Sequence, residues 1–212
     1  MTFGFRLDLK DSGAQISKGI MNAVLPDIKK DFKNATSKIK GELPGLVNDI
    51  VVSSPEYASL IGGELKFELG IPDAATKIAE LINLWTQNIK YSEKTPSVKN
   101  FGISGSFSAS LFKVDFSEVI GSSHAQVYDN IRGYNLPWLK WLVFDGNIPI
   151  IQDFSVEMIN SPRSRTGGAL MTSGGSWGVP ASFAGTIADN WITRAIESKS
   201  SEIDKLLDKA FK

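Results

Sequence analysis

Ile16, Ile20, Val24, Ile28, Phe32, Ala35 and Ile39 recur every three or four positions along the chain. That period lines one face of an α-helix and leaves the lysines and aspartates for the opposite side. A stripe of this length commits the N-terminal part of the chain to a helix whose apolar face must be buried against something. Pro26 falls inside it and is expected to bend it, because proline lacks an amide hydrogen and its ring meets the carbonyl four residues back. The segment "KGELPGLVNDIVV" carries helical character on to Val52. Ahead of the stripe, Phe3, Phe5, Leu7 and Leu9 alternate, the period of a strand with four large side chains on one face.

Two further helices follow. In "VVSSPEYASLIGGELKFELGIPD" Ser53 and Glu56 spell a capping box, Pro55 suits a first helical turn, Gly70 suits a C-terminal cap and Pro72 prevents continuation. Gly62 and Gly63 inside this helix cost about 1 kcal/mol each relative to alanine, which points to close approach of another backbone. From Pro72, a helix with Ile78, Leu81, Ile82, Trp85 and Ile89 on one face is expected to end near Asn88.

The middle of the chain changes period. Phe101, Ile103, Phe107 and Leu111 occupy odd positions and Phe112, Val114 and Phe116 even ones, a phase shift that reads as a β-bulge or a change of sheet. Pro137 with Trp138 and Trp141 suggests one helical turn, and Asp145-Gly146 a hairpin. Ile148, Ile150, Phe154, Val156 and Met158 continue the sheet, and "ALM" and "SWGV" read as short strands about a Ser173-Gly174-Gly175 turn. Ile187, Trp191, Ile192, Ala195, Ile196, Ile203, Leu206, Leu207 and Ala210 then describe a long amphipathic helix. Helices and strands are segregated, which favours an α+β fold: one domain over residues 1–212, with an antiparallel β-sheet packed against several α-helices. The helical part is expected over about 14–90, the sheet part over about 100–180 and the closing helix over about 183–211.

Composition narrows the chemistry. Across 212 residues, 23 basic and 23 acidic side chains cancel, so charge gives no reason to expect a nucleic-acid or anionic-membrane partner. The absence of cysteine excludes disulfides, thiolate metal sites and thiol catalysis, and fits a reducing cytosol or a particle assembled inside one. "LPWLKWLVF" is interrupted by Lys140 and falls short of the roughly 20 apolar residues of a spanning helix. The N-terminus lacks the apolar core of a secretory signal, so a soluble, unexported product is expected.

The stretch "SPRSRTGGALMTSGGSWGVP" contains Gly174-Gly175-Ser176-Trp177-Gly178, the spelling of a nucleophile elbow. The single histidine, His124, lies upstream of Ser176, no helix start follows the serine, and a turn whose glycines supply positive φ accounts for the same residues. The loop lacks G-x-x-x-x-G-K-[ST]. Metal-ligand spacings are missing as well. Asp27/Asp31 and Glu64/Glu68 are i, i+4 acid pairs read as solvated faces offset by neighbouring lysines. A serine hydrolase using Ser176 is the remote alternative, and no catalytic, cofactor or metal residue is assigned. Arg163 and Arg165 are either solvated or grip a carboxylate on a neighbouring chain through the bidentate fork of arginine.

The opening "FRLDLKDSGAQISKGIMNAVLPDIKKDFKNATSKIK" resembles the start of neck and tail-completion proteins of tailed bacteriophages. The close "SWGVPASFAGTIADNWITRAIESKSSEIDKLLDKAF" resembles that family's final strand, proline-plus-aromatic junction (Pro180, Phe183) and terminal helix. "SPEYASLIGGELKFELGIPD" and "SPRSRTGGALM" are similar to segments of phage virion proteins, the latter through Pro162, Thr166, Gly167 and Leu170. The resemblance covers about a third of the chain, and the Thr-Gly segment comes later than the family pattern has it. It implies a virion structural protein assembled in the bacterial cytoplasm, a ring-forming subunit at the head-tail junction, without catalytic residues. Its implied partners are copies of itself and virion proteins such as portal or adaptor and tail terminator; a tail terminator or another tail-associated role is the alternative, and packaged DNA in the lumen is a contact that charge does not indicate. Phe3, Phe5, Arg163, Arg165 and Trp177 are the expected subunit-interface residues.

Overall fold

The computed structural model describes residues 12–100, 102–110, 119–130 and 132–212. The fold is α+β: among these residues there are seven helices and three two-stranded antiparallel sheets. The expected strand of Phe3, Phe5, Leu7 and Leu9, and the phase shift from Leu111 to Phe116, lie outside the described residues.

Helix α1 runs from Gly13 to Val52. It starts on a capping box in which the Gln15 amide donates to Ser12 Oγ and the Ser12 amide donates to Gln15 Oε1. It passes through Pro26 and Pro44 without ending. Its C-terminal half buries Ala35, Thr36, Ile39, Leu43, Val47, Ile50 and Val51. The N-terminal half of the same stripe is bare: Ile16, Ile20, Val24 and Ile28 are 40%, 60%, 41% and 38% exposed.

Helix α2 (Pro55–Gly62) is capped by Ser54, and the expected Ser53–Glu56 box does not form. Pro55 occupies N1 and so fixes the cap one residue later than expected. Ser53 instead closes α1 through its amide to the Asp49 carbonyl, and Glu56 is buried against Arg194 at 3.0 Å. The helix breaks at Gly63, where a Cβ would stand 2.9 Å from Ser59 Cα. The crowding at Gly63 therefore comes from α2 itself and not from a second backbone, while Gly62 faces open space. Helix α3 (Glu64–Glu68) ends as expected at Gly70, whose φ of 63° is left-handed; Ile71 donates back to the Lys66 carbonyl and Gly70 to that of Phe67. Helix α4 (Ala74–Gln87) buries Ile78, Leu81, Ile82 and Trp85, the face read from the sequence.

The strands form separate ribbons. β1 (Lys90–Lys99) pairs with β2 (Gly102–Ser110), with a bulge between Lys94 and Ser97 opposite Gly105. Pro96 offers no ladder donor there, and a side chain at Gly105 would come within 2.9 Å of Pro96 Cγ. β3 (Val127–Asp129) pairs with β4 (Tyr134–Leu136), and helix α5 (Trp138–Val143) follows on the predicted Pro137 junction. Asp145-Gly146 turns out of α5 and makes no hairpin: Gly146, at φ 66°, donates to the Gly185 carbonyl. β5 (Ile151–Glu157) pairs with β6 (Leu170–Trp177), which runs unbroken through Ser173-Gly174-Gly175. The two glycines lie opposite Asp153 in a bulge, all three with positive φ, so the expected turn is a bulge and the connection between the strands is the segment 158–169.

The closing helix is shorter than expected and divided. Asn190 caps α6 (Trp191–Ser198) by accepting from the Ile192 and Thr193 amides, and Lys199 separates it from α7 (Ser200–Phe211). Ile187 precedes the helix and is 68% exposed. The buried apolar residues join one cluster around Trp138 and Trp191, into which α1, α4, α5 and α6 all contribute. Ser54 Oγ ties the layers: it donates to the Val51 carbonyl and accepts from the Tyr57 amide and from Trp191 Nε1 at 2.7 Å.

Candidate functional site

The expected contact residues converge, in part, where the 158–169 connection lies on α3. The connection is braced internally, Ser161 donating from its amide to the Gly167 carbonyl and Ala169 to Ser164 Oγ. Gly168 presses on the Phe67 ring so closely that a Cβ there would overlap it. Arg165 extends over Gly70 and reaches Asp129 with 3.5 Å between Nη2 and Oδ2. Arg165 thus grips a carboxylate of its own chain, where solvent or a neighbouring chain's carboxylate was expected. It joins the connection, α3 and the β3–β4 ribbon. Arg163 points elsewhere: its amide donates to Ser161 Oγ, its side chain is exposed, and its guanidinium has no ion pair among the described residues.

Trp177 is a core residue, 6% exposed, and this corrects its reading as a surface contact. Its indole stands edge-on to Trp141 at 5.9 Å and donates from Nε1 to Glu68 Oε2 at 3.2 Å. A tryptophan with one donor and a large apolar body is well suited to bridging core and half-buried carboxylate in this way. Phe3 and Phe5 lie outside the described residues.

Glu68 is not the solvated surface acid expected from its i, i+4 spacing. Desolvation raises its pKa above the ordinary carboxylate value, the Trp177 indole opposes this by bonding to the charged form, and the neighbouring Glu64 carboxylate adds to the rise. A carboxyl held toward its neutral form can in principle donate a proton, but that role needs a substrate cleft beside it. One open depression among the described residues is at the β1–β2 turn, lined by Lys99, Asn100, Gly102, Ile103 and Ser104. No cluster among the described residues has the acidic, histidine or cysteine groups to hold a metal ion.

Ser176 and His124 are not brought into hydrogen-bond contact. Ser176 faces Gln152 across the β5–β6 ladder, and His124 sits in a 3₁₀ turn (Ser123–Ala125) packed on α4 and α5, where its carbonyl accepts from Trp138 Nε1. Sequence reasoning missed Arg194, which bonds Glu56, Asp189 and the carbonyls of Phe183 and Ala184 and so pins residues 183–190 to α2. Its four partners come from three separate stretches of chain, so only the fold reveals them. No protein-family model, curated protein or solved structure matches the chain.

Proposed function

We propose that this chain is a non-enzymatic structural subunit of a bacteriophage virion, a ring-forming neck or tail-completion protein at the head-tail junction. The bare half of α1 carries the reading. Four β-branched side chains in one row are exposed on a helix whose other half is firmly buried, and contiguous exposed apolar surface marks sites of protein contact. On the β5–β6 ribbon Phe154 and Met171, and just beyond β5 Met158 and Ile159, are further exposed large apolar side chains, between 37% and 48% exposed. Arg163, in the connection between these strands, is exposed and has no ion pair among the described residues, so its guanidinium can take a carboxylate or phosphate. The phage-like opening and closing segments supply the kind of particle. Its partners are further copies of itself and neighbouring neck or tail proteins, and its place is the virion.

No helix among the described residues is long and apolar enough to cross a membrane. Mass photometry of the purified protein, alone and mixed with portal, adaptor and tail-terminator proteins of the same phage, tests the assignment. Assembly into a ring or onto one of those proteins is expected. A chain that joins none of them and is missing from purified particles would overturn it.

A further inference from the structure

We propose that the bare half of α1 is a self-pairing surface, on which two copies of this chain lie antiparallel with Ile20 of one against Val24 of the other. At about 100° per residue, Gly13, Ile16, Ser17, Ile20, Val24, Asp27, Ile28 and Asp31 fall on one arc of the helix. Two carboxylates therefore lie on the apolar face and not opposite it as the spacing alone suggested. Both are at its C-terminal end. Before Asp27 the exposed half carries one charge, Lys18; from Asp27 to Lys33 it carries five, Asp27, Lys29, Lys30, Asp31 and Lys33.

This asymmetry selects the orientation. Side by side and parallel, Asp27 and Asp31 of one copy would meet Asp27 and Asp31 of the other, and like charges in contact are unfavourable. Antiparallel about the midpoint of Ile20 and Val24, Ile16 meets Ile28, Asp27 meets Ser17 and Asp31 meets Gly13. Gly13 and Ser17 are uncharged and small, and they belong to the start of α1, whose first turn contains no acidic residue. A carboxylate arriving there meets the positive end of the helix dipole. The surface is thus complementary to itself under a two-fold axis, which is what an isologous contact requires.

Among the described residues, the covering of α1 stops where this surface begins. Helix α7 packs along the C-terminal half and ends at Phe211, whose ring lies 6.2 Å from that of Phe32 and is itself half exposed. A second helix laid on residues 13–31 would continue the same seam. The contact is short, about 27 Å of helix. It falls below the roughly 1,200 Å² of a stable specific interface, so association through it alone is weak and concentration-dependent. The inference rests on the assembly reading only in that both require self-association; a two-fold contact closes on itself, so a ring would be built through other faces and this one would join two subunits back to back.

The chain has no cysteine, so engineered thiols report this contact cleanly. Gly13 has open space around it and tolerates substitution. Gly13→Cys and Asp31→Cys proteins, mixed and oxidised, are expected to give the mixed disulfide dimer. Neither is expected to link with itself, because equivalent positions lie about 27 Å apart in the antiparallel pair and a disulfide spans Cα atoms no more than about 7 Å apart. Ile20→Asp is expected to abolish concentration-dependent dimer in sedimentation velocity while the circular dichroism stays unchanged. Self-linking of Gly13→Cys, identical sedimentation of the native and Ile20→Asp proteins, or a native monomer at every concentration would overturn the proposal. Mixed disulfide formation by a protein absent from virions would leave the contact standing and overturn the virion reading instead.

Discussion

The two halves of α1 share one period and differ in everything that surrounds it. From Ala35 onward, Ile39 and Leu43 are at most 2% exposed, sealed by α4, α6, α7 and β1; before Phe32 the same kind of row meets solvent. Periodicity therefore specifies which face a helix will bury but not whether the chain itself supplies the cover. The two arginines of the 158–169 connection repeat the lesson, since Arg165 is committed to Asp129 inside the chain and Arg163 remains available outside it.

The contrast between internally used and bare groups can be broken most forcefully at Arg194. Arg194→Ala strips the partner from Glu56, whose side chain is only 6% exposed, and is expected to destabilise the fold by about 3 to 5 kcal/mol in urea denaturation. Arg163→Ala should change stability by less than about 0.5 kcal/mol. Equal losses from both would erase the distinction. Within α1, Ile39→Ala is expected to cost about 2 to 4 kcal/mol through the cavity it leaves, against less than about 0.5 kcal/mol for Ile20→Ala measured at dilutions where the protein is monomeric. A large loss at Ile20 in the monomer would mean that residues of the same chain cover it.

Tyr91 sharpens the comparison in the other direction. Its hydroxyl is buried without a hydrogen-bond partner among the described residues, burial holds its pKa up, and its ring stacks on Phe107 at 6.0 Å. Tyr91→Phe keeps the ring and removes the orphaned group, so thermal denaturation should show a gain of about 1 kcal/mol. The smallest effect is expected at Glu68. Its folded pKa lies above its unfolded one, so the folded state holds the proton longer. Its contribution is most favourable below the ordinary carboxylate range, falls as pH rises through the raised folded value, and is constant above it. Glu68→Gln retains an acceptor for Trp177 and should flatten that part of the stability-pH curve, with a slight gain at neutral pH. A loss of stability at neutral pH in the variant would show instead that the carboxylate is favoured by its surroundings.

What could be read from the residues alone was whatever a short window decides. The buried face of α4, the extent of α1 to Val52, the single turn after Pro137 and the left-handed Gly70 all depend on neighbours a few positions away. Two serines in a row defeated the same method at α2, because a cap is chosen by the register that Pro55 imposes. Gly174-Gly175 defeated it too: positive φ serves a turn and a bulge alike, and only the strand lying opposite, with Asp153 also at positive φ, tells them apart. The candidate site was legible only as arginines and a tryptophan. Asp129 for Arg165 and Glu68 for Trp177 come from distant parts of the chain, and no local pattern links such pairs.

The Ser54 hydroxyl meets the Trp191 indole across 137 positions of sequence. During synthesis, Trp191, which completes this contact, leaves the ribosome long after α1 and α2 have been made. Until then the C-terminal half of α1 lacks the flank that α6 and α7 supply. Deletion of α6 and α7 should therefore be felt around Ile39 and Leu43, as protease sensitivity far from the deleted segment in sequence but directly beneath it in space.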